Sequence, residues 1–156
     1  MTTLDASRQR TLLERARLAA RNAYVPYSEF PVGAAVLTDD GSIYSGANIE
    51  NASYGLTVCG ERSAVFAAAS AGQRTIVAVA VSAPKLALTS PCGACRQVLS
   101  EFRPKSGDMD VILDDRQDGE VVTLGDLLPR AFGPRTLDES KQAETRTATN
   151  GSNSAR

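Results

Sequence analysis

Three cysteines and no histidine set the terms on which this chain could hold a transition metal. The cysteines fall in two stretches, Cys59-Gly60-Glu61-Arg62 and Pro91-Cys92-Gly93-Ala94-Cys95-Arg96. Cys92 and Cys95 are three positions apart, so at the start of a helix they share a face and can grip one ion together. Pro91 suits the first turn of that helix. Its fixed φ presets the turn, and the N–H it lacks would be unpaired there. Val98, Leu99 and Phe102 then recur at helical spacing. Cys59 opens a second predicted helix, continued by Val65, Phe66 and Ala69. The partial positive charge at a helix N-terminus favours thiolate over thiol, and Arg62 and Arg96 add full charges nearby.

Three thiolates leave a zinc site one ligand short of closed. Structural zinc is almost always four-coordinate, whereas catalytic zinc keeps three protein ligands and an open position for water. Glu61, two residues after Cys59, therefore has three readings. It is a fourth ligand, a proton carrier beside a bound water, or the surface ion-pair partner of an arginine. The cysteines have one competing reading, three unrelated buried thiols, because free cysteine packs as a small hydrophobe. The proline and the three-residue spacing weigh against it. Three thiolates also give the site a net negative charge. Arg62 and Arg96 can withdraw it by hydrogen-bonding the sulfurs, the alternative for both being a surface salt bridge.

The elements that must bring the two stretches together are legible from periodicity. At 156 residues the chain has room for one domain with its own core. It is 42% hydrophobic and 22% charged, ordinary for a globular protein, and its net charge of −1 gives no reason to expect nucleic acid as a partner. The odd cysteine count and the Cys-x-x-Cys spacing argue against a disulfide framework and for a reducing, cytoplasmic setting. The longest clearly apolar run, Ile76 to Val81, is too short to span a membrane. Asp5 and Glu14 stand among the N-terminal arginines, so an amphipathic helix is expected there rather than a transit peptide. Leu12, Leu13, Ala16 and Ala20 give that helix its period over about Asp5 to Asn22, ending before Pro26. Val32 to Leu37 and Ile43 to Ala47 read as a hairpin around Asp39-Asp40-Gly41-Ser42. Asn48 to Val58 is a polar connection, and the Cys59 helix runs to about Ala71. Ile76 to Ser82 reads as a strand covered on both faces. The Cys92 helix runs to about Glu101. Val111-Ile112-Leu113 and Val121-Val122-Thr123 are short strands, and Leu124 to Leu128 is a short helix. Helices alternating with strands predict an α/β sandwich. Residues 1–137 form the expected domain. Residues 138–156 are polar, carry no large apolar side chain, and are expected to be a disordered tail.

Cys-x-Glu followed by Pro-Cys-x-x-Cys resembles the zinc deaminase signature. Together with Phe30-Pro31-Val32-Gly33-Ala34-Ala35, Asn48-Ile49-Glu50-Asn51-Ala52-Ser53-Tyr54, Pro91 through Gln97 and Leu127-Leu128-Pro129, it is similar to the small homotetrameric cytidine deaminases. The likeness runs from about the first helix to Phe132. It implies a three-layer α/β/α sandwich with a mixed sheet of about five strands. It also implies one Zn²⁺ per subunit on Cys59, Cys92 and Cys95, and Glu61 as the proton shuttle. By the same resemblance Phe30 packs on the base, Asn48 and Glu50 hold the ribose, and the Gly60 N–H donates to the base carbonyl. The family usually has alanine at that last position. Tyr54 and Phe132 resemble positions that neighbouring subunits supply to each site, which implies a tetramer with shared active sites. Gln97 has two readings, a buttress of the loop or a solvated side chain. The implied activity is hydrolytic deamination of cytidine and 2′-deoxycytidine in pyrimidine salvage. Two other readings stand beside it. One is a deaminase of another aminopyrimidine nucleoside, such as a blasticidin-type antibiotic. The other is a non-catalytic zinc-binding or RNA-editing module.

Overall fold

The structure is a computed structural model that describes residues 4–134 together with Thr136 and Leu137. The expected tail, 138–156, lies outside the described residues. Helix α1 (Ala6–Ala20) starts where Asp5 caps it, the Asp5 carboxylate accepting from the Arg8 backbone N–H at 2.8 Å. Its predicted apolar stripe is the one it buries: Leu12, Leu13, Ala16 and Ala20. The predicted hairpin forms as β1 (Gly33–Thr38) and β2 (Ile43–Ala47). Gly41 takes the left-handed φ of 87° that the turn demands. Asp40 fastens the turn by accepting from the Ser42 N–H and the Thr38 hydroxyl.

A single 3₁₀ turn (Tyr54–Leu56) leads to α2 (Gly60–Ser70). Then follow β3 (Ile76–Ser82), α3 (Gly93–Glu101), β4 (Asp110–Leu113), β5 (Glu120–Thr123) and the short α4 (Leu124–Leu127). The strands form one sheet in the order β2-β1-β3-β4-β5. Only β3 and β4 are parallel, so the sheet is mixed and five-stranded.

Two apolar layers cover the two faces. Strand β1 is buried along its whole length, so its side chains alternate between layers. Ala34 and Val36 join Val79, Val81, Ala64, Val65, Leu99 and Leu124 on the face that carries α2 and α3. Ala35 and Leu37 join Ala78, Ala80, Leu12, Leu13 and Ala16 under α1. The small side chains let α1 lie close to the sheet. A β-carbon at Gly33 would overlap the Ala16 carbonyl and the Ala20 nitrogen.

Two expectations are corrected. Phe66 does not join the core but is 47% exposed. Helix α2 buries the stripe of Ala64, Val65 and Ala68 instead, and lies close to β2, where a β-carbon at Gly46 would overlap Ala64 and Ser63. Pro91 is not in the first turn of α3. Cys92 is the N-cap and Gly93 the first helical residue, so the buried Pro91 precedes the cap and stiffens the approach to it. No helix among the described residues is long and apolar enough to cross a membrane.

Candidate active site

Cys59 caps α2 and Cys92 caps α3, each in extended backbone geometry. Neither sulfur caps the backbone N–H groups of its helix. Cys95 follows in the first turn of α3. The Sγ atoms of Cys59 and Cys92 are 3.9 Å apart, those of Cys92 and Cys95 are 3.5 Å apart, and all three lie within 4.8 Å of one another. Tetrahedral zinc with sulfur at about 2.3 Å would separate its thiolates by about 3.8 Å. The three sulfurs therefore fit one zinc ion. Cys95 is buried, Cys59 half-buried and Cys92 exposed, so the cluster opens to solvent on one side.

Cys59 and Cys95 differ in acidity. The Cys59 thiol falls to about 5, first because Cys95 donates a hydrogen bond to it and then because Arg62 stands beside it. Cys95 moves the other way, held protonated by that same bond to Cys59, by burial and by the charge of Glu61. Zinc binding would displace the protons of the thiols. Glu61 is 4% exposed. Burial pushes its carboxyl up, and the nearby Cys59 charge pushes it further.

Arg62 reaches Cys59 as expected. Its Nη2 donates to the Cys59 sulfur at 3.6 Å and to the Thr57 carbonyl at 3.0 Å. Arg96 does something else. Its described bonds run to the carbonyls of Pro91 (2.7 Å) and Leu127 (2.8 Å) and to the Ser90 hydroxyl (3.0 Å), none to a sulfur. It ties the approach to Cys92 onto α4. Gln97 donates to the Phe132 carbonyl at 2.9 Å and so holds the segment after α4.

Asn48 and Glu50 both brace the loop before β1. The Asn48 amide accepts from the Val32 N–H at 2.8 Å and donates to the Phe30 carbonyl at 2.9 Å. Glu50 Oε2 accepts from the Tyr27 and Ser28 N–H groups at 3.0 and 3.2 Å, which hold its carboxyl below the usual range, the Ser28 hydroxyl adding the largest share. Phe30 is half-buried. Gly60 is buried, and a β-carbon there would sit 2.9 Å from the Val32 carbonyl oxygen, which accounts for glycine at this position. Tyr54 is 78% and Phe132 61% exposed. The Tyr54 ring meets the Tyr27 ring edge-on at 6.1 Å.

Several supports went unseen in the sequence. The Tyr27 and Ser28 N–H groups and the Thr57, Pro91 and Leu127 carbonyls are backbone, so no residue type announces them. Asp114 was also missed. Its carbonyl accepts from the Leu88 N–H at 2.8 Å and steadies the loop before Cys92. Its carboxylate takes Arg17, Ser82 and Arg116 as donors. An acid at a strand end reads as a solvated residue, and nothing local says otherwise.

Residues 6–107 match the family model described as the cytidine and deoxycytidylate deaminase zinc-binding region. A cytidine deaminase of Halalkalibacterium halodurans is 50% identical over 129 residues, covering 82% of this chain and 96% of that one. A cytidine deaminase of Sporosarcina psychrophila is 50% identical over 127 residues, with 81% and 92% covered. Among solved structures, a cytidine deaminase of Burkholderia pseudomallei superposes with a TM-score of 0.72 at 47% identity, over 79% of this chain and 98% of that one.

Proposed function

The chain belongs to the cytidine and deoxycytidylate deaminase family, and from that premise we propose that it is a zinc-dependent hydrolase of pyrimidine salvage. It converts cytidine and 2′-deoxycytidine to uridine and 2′-deoxyuridine with release of ammonia. The observation that carries this reading is the meeting of three sulfurs within 4.8 Å, at the first turns of two helices, beside a buried glutamate.

Cys59, Cys92 and Cys95 would hold the ion. Zinc in such a site acts as a Lewis acid and lowers the pKa of a bound water to roughly 7. Glu61 supplies the proton traffic. Its burial raises its proton affinity, which suits a carboxyl that must both take and give protons. It takes a proton from the attacking water and gives it to ring N3, then takes the remaining proton from the hydroxyl left on C4 and gives it to the departing amine. Arg62 withdraws charge from Cys59 through its bond to that sulfur.

The geometry leaves room for the remaining roles. Glu50, whose carboxyl is held below the usual range, accepts from the ribose 3′-hydroxyl. Asn48 spends one amide hydrogen on Phe30 and keeps another for the sugar. Phe30, anchored by that bond, packs on the base, and the Gly60 N–H donates to the base carbonyl. Tyr54 and Phe132, largely exposed on one chain, complete the sites of neighbouring subunits in a homo-oligomer, a tetramer in this reading. The setting is cytoplasmic.

The test is zinc content and ammonia release on one purified sample. About one zinc per subunit and steady ammonia release from cytidine are expected. A zinc-loaded sample inert toward cytidine and deoxycytidine would overturn the reading.

A further inference from the structure

A second cavity lies at the opposite end of α3 from the cysteines, and we propose that it binds a nucleotide through its phosphates. The cavity has a volume of about 910 Å³, near the upper end of the roughly 300–1,000 Å³ usual for small-molecule sites. It lies between the end of α3, the approach to β3 and the segment after α4. None of the cysteines, and neither Asn48 nor Glu50, lines it.

Its charge is the opposite of the chain's. Arg74, Arg103, Lys105 and Arg130 line it against one acid, Glu101. Arg103 also pairs with Asp108 at 2.6 Å. Among the described residues that leaves two positive charges in excess, on a chain whose net charge is −1. Cations gathered in a concave wall concentrate anions there. Arginine forks match phosphate oxygens two at a time.

The donors are not all consumed. Arg103 Nε is buried without a hydrogen-bond partner among the described residues, and a buried donor of that kind is destabilising until something accepts from it. Lys105 and Arg130 are exposed. Arg74 is different. Its Nη1 already donates to the Ala69 and Gln73 carbonyls, so it contributes mainly charge.

The rest of the wall narrows the ligand class. Leu128, Pro129 and Pro134 give it an apolar part that inorganic phosphate would leave wet. A ligand with phosphates at one end and a ring system at the other satisfies both parts. A polynucleotide does not suit a chain with no overall positive charge.

Calorimetric titration of the zinc-loaded protein with adenosine triphosphate and with inorganic pyrophosphate tests this. The wild type should bind one adenosine triphosphate per subunit at least tenfold more tightly than pyrophosphate. The double variant Lys105→Gln/Arg130→Gln should lose at least tenfold in that affinity, while deaminating cytidine at the wild-type rate when no nucleotide is present. Binding heat is read without turnover, so the result stands apart from whether cytidine is the substrate. Absence of saturable binding at millimolar nucleotide, undiminished binding in the double variant, or pyrophosphate binding as tightly as the nucleotide would each overturn the proposal.

Discussion

At position 61 a carboxyl sits where charge is costly, beside sulfurs that also compete for protons. Glu61→Gln keeps the shape and removes the base. Zinc content and folding are expected to remain near wild type while deamination falls by roughly two to four powers of ten, the usual worth of a positioned acid–base group. Zinc per subunit and rate, measured on the same sample, decide it. Loss of metal would make Glu61 a ligand, and full activity would remove it from the reaction. The two arginines show how far residue types can be read. Arg62 lies three positions after Cys59 at the opening of one helix, so local spacing brings its guanidinium to the sulfur. Arg96 lies four positions after Cys92, also within reach of its sulfur, and yet spends its donors on the Pro91 and Leu127 carbonyls and the Ser90 hydroxyl. The carbonyl of Leu127 arrives from α4, and spacing within α3 carries no word of it.

Between elements, the bond that fastens α1 to the end of β4 is the ion pair of Arg17 with Asp114, at 2.6 Å. Desolvation alone would raise the Asp114 carboxyl, but its hydrogen bonds from Arg17, Ser82 and Arg116 outweigh that and hold it at about 2. A carboxyl depressed in the folded state contributes stability above its ordinary pKa of 3.8 and loses it as pH falls toward 2. Asp114→Asn is therefore expected to cost about 2 kcal/mol at neutral pH. The gap to wild type should close between about pH 4 and pH 2. Urea unfolding of both proteins across that range checks this, and a gap independent of pH would refute it. The elements themselves were legible because strong periodicity survives packing: α1 buries its predicted stripe, and β2 and β3 keep their predicted bounds. Phe66 is exposed because it lies off the stripe of Glu61, Ala64, Val65 and Ala68 that α2 buries.

For the molecule as a whole, the surface around the 3₁₀ turn is unusually apolar for an isolated chain. Tyr24, Ile49, Tyr54 and Leu56 are 56%, 47%, 78% and 67% exposed. Exposed apolar surface of this kind marks association. Light scattering is expected to give four times the 16.5 kDa of one chain. A fully active monomer would defeat the shared-site reading.

The sulfurs of Cys59 and Cys92 belong to stretches 33 residues apart in the chain and stand 3.9 Å from each other. An ion held between them is a reversible crosslink, one that forms only in the folded protein. By mass action such a crosslink adds stability that grows with the logarithm of free metal, about 2.7 kcal/mol at a hundredfold excess over the dissociation constant. The amount of folded protein a cell keeps would then follow its metal supply. In a starved cell, scarcity would be felt as shortened lifetime of the chain as well as emptied sites.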